Sequence, residues 1–395
     1  MPDREEIIQK RLRRRKMAEV RFRIYGIVAL LLAGGFLVFF FADMVIKGHS
    51  AFVQAYVRCD VYYNKDSAKI TGYRKAIDKE LQPIVSRAVL RLIPKEIRNN
   101  PALLGPNEEG TTQTKWLVAG YEIDQYLKGK FNKLDDDDKA LADKLAADGI
   151  LKLRFNWGFF FNGHSNFPEI AGIGAATVGT IFVLIITMLC AVPIGVATAV
   201  YLEEFAPDNK LTRAVEVNIN NLAAVPSILF GLLGLAIVIN FFGVPRSSAM
   251  AGGITLGLMM LPVIIIATRT ALRAVPDSIR EGAHGVGASP WQVVQHHVLP
   301  LAAPGVLTGS IISVARAMGE TAPLLVVGLM ALIQEPPASA LDGTTVLPAQ
   351  ILIWNNEAIR AYQERTAAGI LVLLAVLLLL NGFAIWLRNR TERRW

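Results

Sequence analysis

Two residues of opposite charge, Arg316 and Glu320, interrupt a long and otherwise uncharged stretch of the sequence at residues 298–334. In a helix, successive residues are rotated by about 100°, so side chains four apart lie about 40° from each other on one face. Charged side chains inside a membrane-length apolar segment are rare and are a functional hypothesis by default, here a role in a pathway, with a purely structural pair as the alternative. The spacing therefore predicts an intramembrane ion pair. Such a pair can attract an anion and still release it, as transport requires.

Arg269 is a third charged candidate, directly after the uncharged stretch at residues 247–268. Two alternatives remain open for its side chain. It points inward to the same pathway, or it extends to the membrane surface as long basic side chains do.

The sequence offers little for covalent or metal chemistry. It contains no G-x-x-x-x-G-K-[ST] phosphate-binding loop and no H-E-x-x-H zinc motif. Its two cysteines, Cys59 and Cys190, exclude a disulfide scaffold and a cysteine-rich metal site. We therefore predict no catalytic residue, no metal site and no cofactor bound by this chain, and we do not expect it to be an enzyme.

The uncharged stretches indicate which elements position these residues. Of 395 residues, 19% are charged and 53% are hydrophobic, whereas soluble domains average about 25% charged residues. A membrane-spanning helix needs about 20 apolar residues. Six stretches reach or nearly reach this length, at residues 24–42, 170–202, 217–245, 247–268, 298–334 and 366–387. The sequence predicts an all-α polytopic membrane protein with six transmembrane helices.

Basic residues are distributed unevenly across the predicted membrane. Seventeen lysines and arginines fall in the tails and short loops of one side, and three fall in the short loops of the other. Cytoplasmic loops carry the excess of Lys and Arg, so both termini are predicted to be cytoplasmic. The predicted order is a basic tail (1–23), a first transmembrane helix (24–46), an external insertion (47–168), a core with five transmembrane helices (169–387) and a second tail (388–395). The first tail is interpreted as an orientation and anionic-lipid signal, not as a nucleic-acid-binding patch.

The insertion at residues 47–168 is long enough to fold as a small domain. Helical spacing of apolar residues within 67–98, with similar patterns at 116–133 and 139–147, predicts a mainly helical domain. Residues 151–161 are apolar and aromatic, and either a strand or a segment at the membrane interface fits them. The acidic run at 135–138 is interpreted as a solvated turn, because the oxygen spacing of an EF-hand calcium loop is missing.

The most specific motif lies in the loop at residues 276–303, between the fourth and fifth predicted transmembrane helices. Glu281-Gly282-Ala283 is followed by Gly287 and, after a long spacer, by Leu299-Pro300. We expect two short helices separated by a turn at Gly287, a compact shape that fits a groove on another protein. The spacing resembles the E-A-A coupling loop of importer-type ABC permeases, with glycine in place of the middle alanine and His297 in place of an aliphatic residue. The resemblance implies that six residues contact a partner ATPase, namely Glu281, Gly282, Ala283, Gly287, Leu299 and Pro300.

Four further stretches of sequence narrow the resemblance to one group of these permeases. They are AVPIGVATAVYLEEFAP at 191–207, NLAAVPSILFGLLGL at 221–235, RTALRAVPDSIREGA at 269–283 and ARAMGETAPLL at 315–325. From about residue 170 onward, the chain resembles permease subunits of phosphate-specific ABC importers, and the insertion looks like an extension. The resemblance implies a type I ABC importer permease fold in the bacterial inner membrane, with alternating access driven through the coupling loop. The implied partners are a homologous permease subunit, an ATPase subunit dimer that carries ATP and Mg, and an external phosphate-binding protein.

On this resemblance, Arg316 is expected to attract phosphate and Glu320 to prevent overly tight retention. A carboxylate also accepts a hydrogen bond from protonated phosphate, which fully ionised sulfate cannot donate. Two other interpretations remain. One is a permease for another oxyanion such as sulfate or molybdate, and the other is a membrane-anchored phosphate sensor that needs no ATP.

Overall fold

The computed structural model describes residues 4–69, 71–105 and 110–391. The α-helices of this part of the chain are α1 (Arg4–Gly48), α2 (Arg87–Leu90), α3 (Ile93–Asn99), α4 (Tyr121–Leu127), α5 (Asp136–Ala147), α6 (Trp157–Phe161), α7 (Gly174–Val200), α8 (Lys210–Ala223), α9 (Ser227–Leu233), α10 (Ala249–Arg273), α11 (Asp277–Gly285), α12 (Pro290–Val293), α13 (Leu299–Gly319), α14 (Ala322–Val326), α15 (Leu347–Asn355) and α16 (Ala361–Thr391). Segments with π-helical hydrogen bonding extend α7, α9 and α12 at Tyr201–Phe205, Gly234–Phe241 and Val294–Val298. The strands are β1 (Val53–Tyr63), β2 (Thr111–Val118) and β3 (Leu151–Phe155).

Membrane-length apolar helices dominate the fold. Within the described residues, five helical segments are long and apolar enough to cross a membrane: Leu12–Phe52, Gly174–Phe205, Ala249–Arg273, Pro290–Gly319 and Ala361–Phe383. A bent pair, Lys210–Ala223 with Ser227–Phe241, passes the same test only when its two arms are taken together. The prediction of a polytopic, mostly helical membrane protein is confirmed, and the predicted total of six holds if this pair counts as one crossing.

The helix predicted at residues 217–245 is not continuous. The two arms of the bent pair meet at an angle of 107°. Pro226 is the N-cap of α9, and a proline has no N–H to continue the hydrogen bonds of the preceding helix. Helix α8 contains no buried residue, and its polar residues include Asn218, Asn220 and Asn221. The apolar helix predicted to begin at residue 217 therefore begins only after Pro226.

The helix bundle has two distinct ends. We call the end that carries residues 47–168 the insertion end, and the end that carries residues 276–303 the loop end. Helices α7 and α10 run in parallel from the insertion end to the loop end, since Gly253 packs on Ile186 and Gly195 packs on Ile264. Helix α1 ends at the insertion end, where Gly48 packs on Ala368 near the start of α16. The start of α1, the end of α16 and the loop therefore share the loop end.

The fifth predicted helix, at residues 298–334, is also shorter than expected. Helix α13 ends at Gly319, and only the short helix α14 follows before residue 327. Pro323 lies four residues after Gly319, where its ring would clash with the carbonyl of Gly319 in a continuous helix. The chain then runs across the insertion end, where the backbone N–H of His164 donates to the carbonyl of Ile333 at 2.8 Å.

The insertion contains a three-stranded antiparallel sheet in the order β2-β1-β3. The prediction of a mainly helical domain missed this sheet. Alternate residues of β1, among them Val57, Cys59 and Val61, are buried, while Arg58 and Asp60 point outward. This period of two is the pattern of a half-buried strand. The strand Thr111–Val118 also replaces the first part of the helix predicted at 116–133, which begins only at Tyr121.

The remaining predictions for the insertion have mixed outcomes. The described residues within 67–98, where helical spacing was predicted, form 3-10 turns and the short helices α2 and α3. Helix α5 confirms the helix predicted at 139–147, and the acidic run forms its N-cap and first turn, where carboxylates complement the helix dipole. Residues 151–161 form strand β3 and then helix α6. Among the residues that the structure describes, no group of side chains suited to hold a metal ion is present.

A buried ion-pair network joins the insertion to the last helix. Glu364 of α16 lies within 3.1 Å of Lys128 Nζ and 2.7 Å of Lys130 Nζ, and it accepts a hydrogen bond from Ser50 Oγ at 2.9 Å. Lys128 also pairs with Asp124 at 2.5 Å. The Glu364 side chain is only 3% exposed and that of Lys128 only 5%. The insertion is therefore anchored to the membrane helices by charge as well as by its connections along the chain.

Candidate functional site

The predicted ion pair forms, but not on one helical face. Arg316 lies in the last turn of α13, and its Nε is 3.5 Å from Oε1 of Glu320. Glu320 follows the end of the helix and has an extended backbone, with φ −77° and ψ 123°. The predicted angle of 40° between the two side chains is therefore wrong, whereas their proximity is confirmed.

The pair opens onto the surface of the chain. The side chain of Arg316 is 55% exposed and that of Glu320 is 21% exposed. Ile312, one turn before Arg316, is 60% exposed, so this face of α13 is not covered by the chain itself. If an ion passes here, a second molecule must form the opposite wall.

Arg269 does not join this pair. Its guanidinium bonds Glu203 Oε2 at 3.1 Å and Glu216 Oε1 at 2.6 Å, and the side chain is 13% exposed. Gly309 of α13 packs on Ala267 of the antiparallel α10, which places Arg316 about nine residues, or about 14 Å, from Arg269 along the axis at 1.5 Å per residue. The pathway role of Arg269 stays a prediction. Its two carboxylate partners favour a role in holding the end of α7, α8 and α10 together.

The loop at 276–303 has the predicted helix and turn. Helix α11 ends at Gly285, and Gly287 has φ +87°, which L-residues with a side chain rarely adopt. The second short helix is not separate, because α12 continues through Val294–Val298 into α13 as a helical segment Pro290–Gly319. Leu299 and Pro300 therefore lie within a long helix rather than at the end of a loop.

The predicted contact residues of this loop divide by exposure. Glu281 and Gly282 are exposed on α11, whereas Ala283 is 7% exposed and packs in a cluster with Leu272 and Val293. Pro300 lines a groove of about 820 Å³ together with Ile279 of α11. The structure thus leaves Glu281 and Gly282 available to a partner and uses Ala283 to attach the helix.

Arg280 is a positioning residue that the sequence-based reasoning did not identify. Its guanidinium makes two bonds to the Glu204 carboxylate, at 2.8 and 3.2 Å, and donates to the carbonyls of Leu272 and Val275 at 3.0 and 2.7 Å. Paired bonds of this kind are among the strongest side-chain contacts. The hydrogen bonds to Glu204 also raise the pKa of Arg280 above its ordinary value. No spacing rule links residues 76 positions apart, so only the fold could reveal that Arg280 fastens α11 to α7 and α10.

Comparison with known proteins identifies the family. The model of the family described as "Binding-protein-dependent transport system inner membrane component" matches residues 191–395, just over half of the chain. The chain belongs to this family. A second family model, a domain of unknown function (DUF3333), matches residues 9–99, which include most of α1 and the first part of the insertion.

Three relatives show how this family member compares with others. It is 33% identical over 45% of its length to the probable ABC transporter permease protein YqgI of Bacillus subtilis and covers 60% of that protein. It is 38% identical over 39% of its length to the phosphate transport system permease protein PstA 1 of Mycobacterium tuberculosis and covers 50% of it. For PstA of Pasteurella multocida the values are 31% identity, 55% of this chain and 76% of the relative. The chain thus spans only half to two thirds of the length of the first curated relatives that it matches.

Gly282 and Gly287, two glycines of the loop at residues 276–303, provide a matched test of the geometry of that loop. A Cβ atom would meet nothing within 4 Å at either Gly282 or Gly287. Gly287→Ala is expected to destabilise the turn by about 1–2 kcal/mol, because a side chain is strained at positive φ. Gly282→Ala is expected to stabilise α11 by up to about 1 kcal/mol.

Hydrogen exchange of the α11 amides, followed by mass spectrometry, measures both effects. Exchange should be faster in Gly287→Ala and slower in Gly282→Ala than in the wild type. A shift of both variants in the same direction would contradict the assignment of the turn to Gly287.

Proposed function

We propose that this chain is a PstA-like permease subunit of an ATP-driven phosphate importer and forms half of its translocation pathway. The observation that supports this proposal is the way in which α11 is held at the loop end. Helix α11 presents Glu281 and Gly282 to solvent while Arg280 and Ala283 fasten it to α7, α10 and α13. A partner that moves α11 therefore moves the ends of three membrane helices, which is the mechanical requirement for coupling.

Phosphate as the substrate is supported by two observations. Relatives at 38% and 31% identity are named phosphate transport system permease proteins. The Arg316–Glu320 pair also combines a cation that attracts phosphate with a carboxylate that accepts a hydrogen bond from its protonated form. Arg316 and Glu320 are accordingly proposed as pathway residues.

The proposed partners are assigned to surfaces that the chain leaves exposed. In this proposal a homologous permease subunit (PstC-like) covers the exposed face of α13 and forms the second wall. An ATPase subunit dimer (PstB-like) binds α11 and carries ATP and Mg, and an external phosphate-binding protein (PstS-like) delivers the substrate. In this arrangement the loop end and both termini face the bacterial cytoplasm, and the insertion lies outside.

ATP-dependent uptake of radiolabelled phosphate into proteoliposomes tests the proposal. The vesicles contain the purified complex with its binding protein, and sulfate and molybdate are added as competitors. We expect uptake that requires ATP and resists both competitors. Glu281→Lys should abolish uptake by reversing a charge on the exposed face of α11. Asp208→Lys should leave it unchanged, because Asp208 is exposed outside the loop and its ion pair with Arg213 lies on the surface.

Two outcomes would overturn parts of this proposal. A complex that hydrolyses ATP and moves sulfate or molybdate but not phosphate would show that the substrate is wrong while the permease role holds. A chain whose removal leaves phosphate uptake intact would contradict the permease role itself.

A further inference from the structure

Aromatic side chains form a partly exposed cluster at the base of the insertion. We call Phe52, Phe155, Trp157, Phe160 and Phe161 the aromatic cluster. Phe155 contacts Trp157 at 4.8 Å between ring centroids and stacks on Phe160 at 5.9 Å. Trp157 is 63% exposed and Phe161 is 70% exposed. An apolar surface of this kind on a folded domain indicates a contact with another molecule or with lipid.

The position of the cluster is set by two membrane helices. Phe52 ends the 3-10 turn that follows α1. The first residue of α7, Gly174, packs so closely on the carbonyl oxygen of Phe161 that a side chain at this position would clash with it. The aromatic cluster therefore lies at the level where α1 and α7 reach the insertion end. Phe52, which stacks on Phe160 at 5.8 Å, is also the last residue of the apolar segment Leu12–Phe52, so the cluster adjoins the exposed apolar surface of α1, on which Val45 is 49% and Ile46 68% exposed.

A basic residue lies beside the cluster. The guanidinium of Arg154 lies over the Trp116 ring at 4.4 Å from its centroid. Arg154, Trp116 and Tyr56 line a recess of about 500 Å³ with Phe155 and Trp157. Within the part of the chain that the structure describes, no carboxylate forms a salt bridge with Arg154.

We propose that the aromatic cluster lies in the headgroup region of the bilayer and binds a phospholipid, with Arg154 paired to its phosphate diester. Tryptophan rings concentrate at this depth because they combine an apolar face with a polar N–H. Arginine matches phosphate oxygens through its planar set of donors. The continuity with the surface of α1 favours lipid over a binding protein as the occupant. The insertion then rests on the membrane instead of standing free of it.

Fluorescence quenching by brominated phospholipid tests the depth of the cluster. The full chain is reconstituted in vesicles of phosphatidylglycerol and phosphatidylethanolamine, with bromine placed near the headgroup or near the acyl-chain end. The contribution of Trp157 to the fluorescence is the difference between the emission of the wild type and that of Trp157→Phe. This contribution should be quenched more strongly by the bromine near the headgroup than by the bromine near the acyl-chain end. Trp354→Phe is the control, because Trp354 is 1% exposed. The contribution of Trp354, obtained in the same way, should not be quenched by the bromine near the headgroup. Trp157 emission that neither label quenches would overturn the proposal and assign this face to water or protein.

A second measurement tests Arg154. Native mass spectrometry of the purified chain should show fewer retained phosphatidylglycerol molecules in Arg154→Gln than in the wild type. Lys152→Gln is the matched control, because Lys152 is exposed on the same face of the same strand but does not line the recess. Equal retention in Arg154→Gln and in the control would contradict the phosphate contact. Since neither readout involves transport, both are independent of the proposed substrate.

Discussion

Replacement of Arg316 by alanine is expected to reduce ATP-dependent phosphate uptake sharply while the complex still assembles. The side chain of Arg316 is 55% exposed at the end of α13, so its removal loses little packing within this chain. A hydrogen bond to a charged group contributes about 1.5–3 kcal/mol. At limiting phosphate, uptake should therefore fall by about 10- to 150-fold, given about 1.4 kcal/mol for each factor of ten. Initial rates in proteoliposomes provide the measurement.

Two further variants test whether the loss of uptake is specific to the charges of the pair. Ile312→Ala changes an exposed residue one turn away on the same face of α13, and uptake should be nearly unaffected. Glu320→Gln removes the charge that we expect to limit retention and to favour protonated phosphate, so sulfate should compete better. Wild-type uptake by Arg316→Ala, or unchanged anion preference in Glu320→Gln, would contradict the role of the pair in the pathway.

Replacement of Glu364 by alanine is expected to be the most destabilising single change at the junction between the insertion and the core. It leaves the buried Lys128 without one of its two carboxylates and removes the only carboxylate paired with Lys130 among the described residues. Breaking a buried ion pair by removing one partner costs about 3–5 kcal/mol. The thermal unfolding midpoint of the purified chain in detergent should fall, and proteolysis near residues 120–135 should become faster.

Glu357→Ala provides the matched comparison for this junction. Glu357 precedes the same helix but is exposed, and surface substitutions usually change stability by less than about 0.5 kcal/mol. An equal effect of the two variants would show that the network does not hold the insertion in place. A lower midpoint in Glu364→Ala without faster proteolysis would place its contribution in the membrane core instead.

Much of the architecture is predictable from the sequence, because the bilayer imposes a simple length rule. Apolar runs of about 20 residues become helices wherever the backbone can satisfy its hydrogen bonds internally. The rule fails at Pro226 and Pro323, where the missing N–H of one proline and the ring of the other divide two of the predicted helices. It does not apply to the insertion, where the alternating burial of β1 produces a sheet among short helices.

The sequence by itself determined the kind of protein and the position of the loop at residues 276–303, since both depend on patterns between residues close together in the chain. Gly287 marks its turn and Arg316 meets Glu320, four residues away. Only the tertiary structure decided which distant residues pair. Arg280 with Glu204 and Lys128 with Glu364 are separated by 76 and 236 positions. Partners so far apart are chosen by helix packing and by the cost of burying an unpaired charge, and neither leaves a local pattern in the sequence.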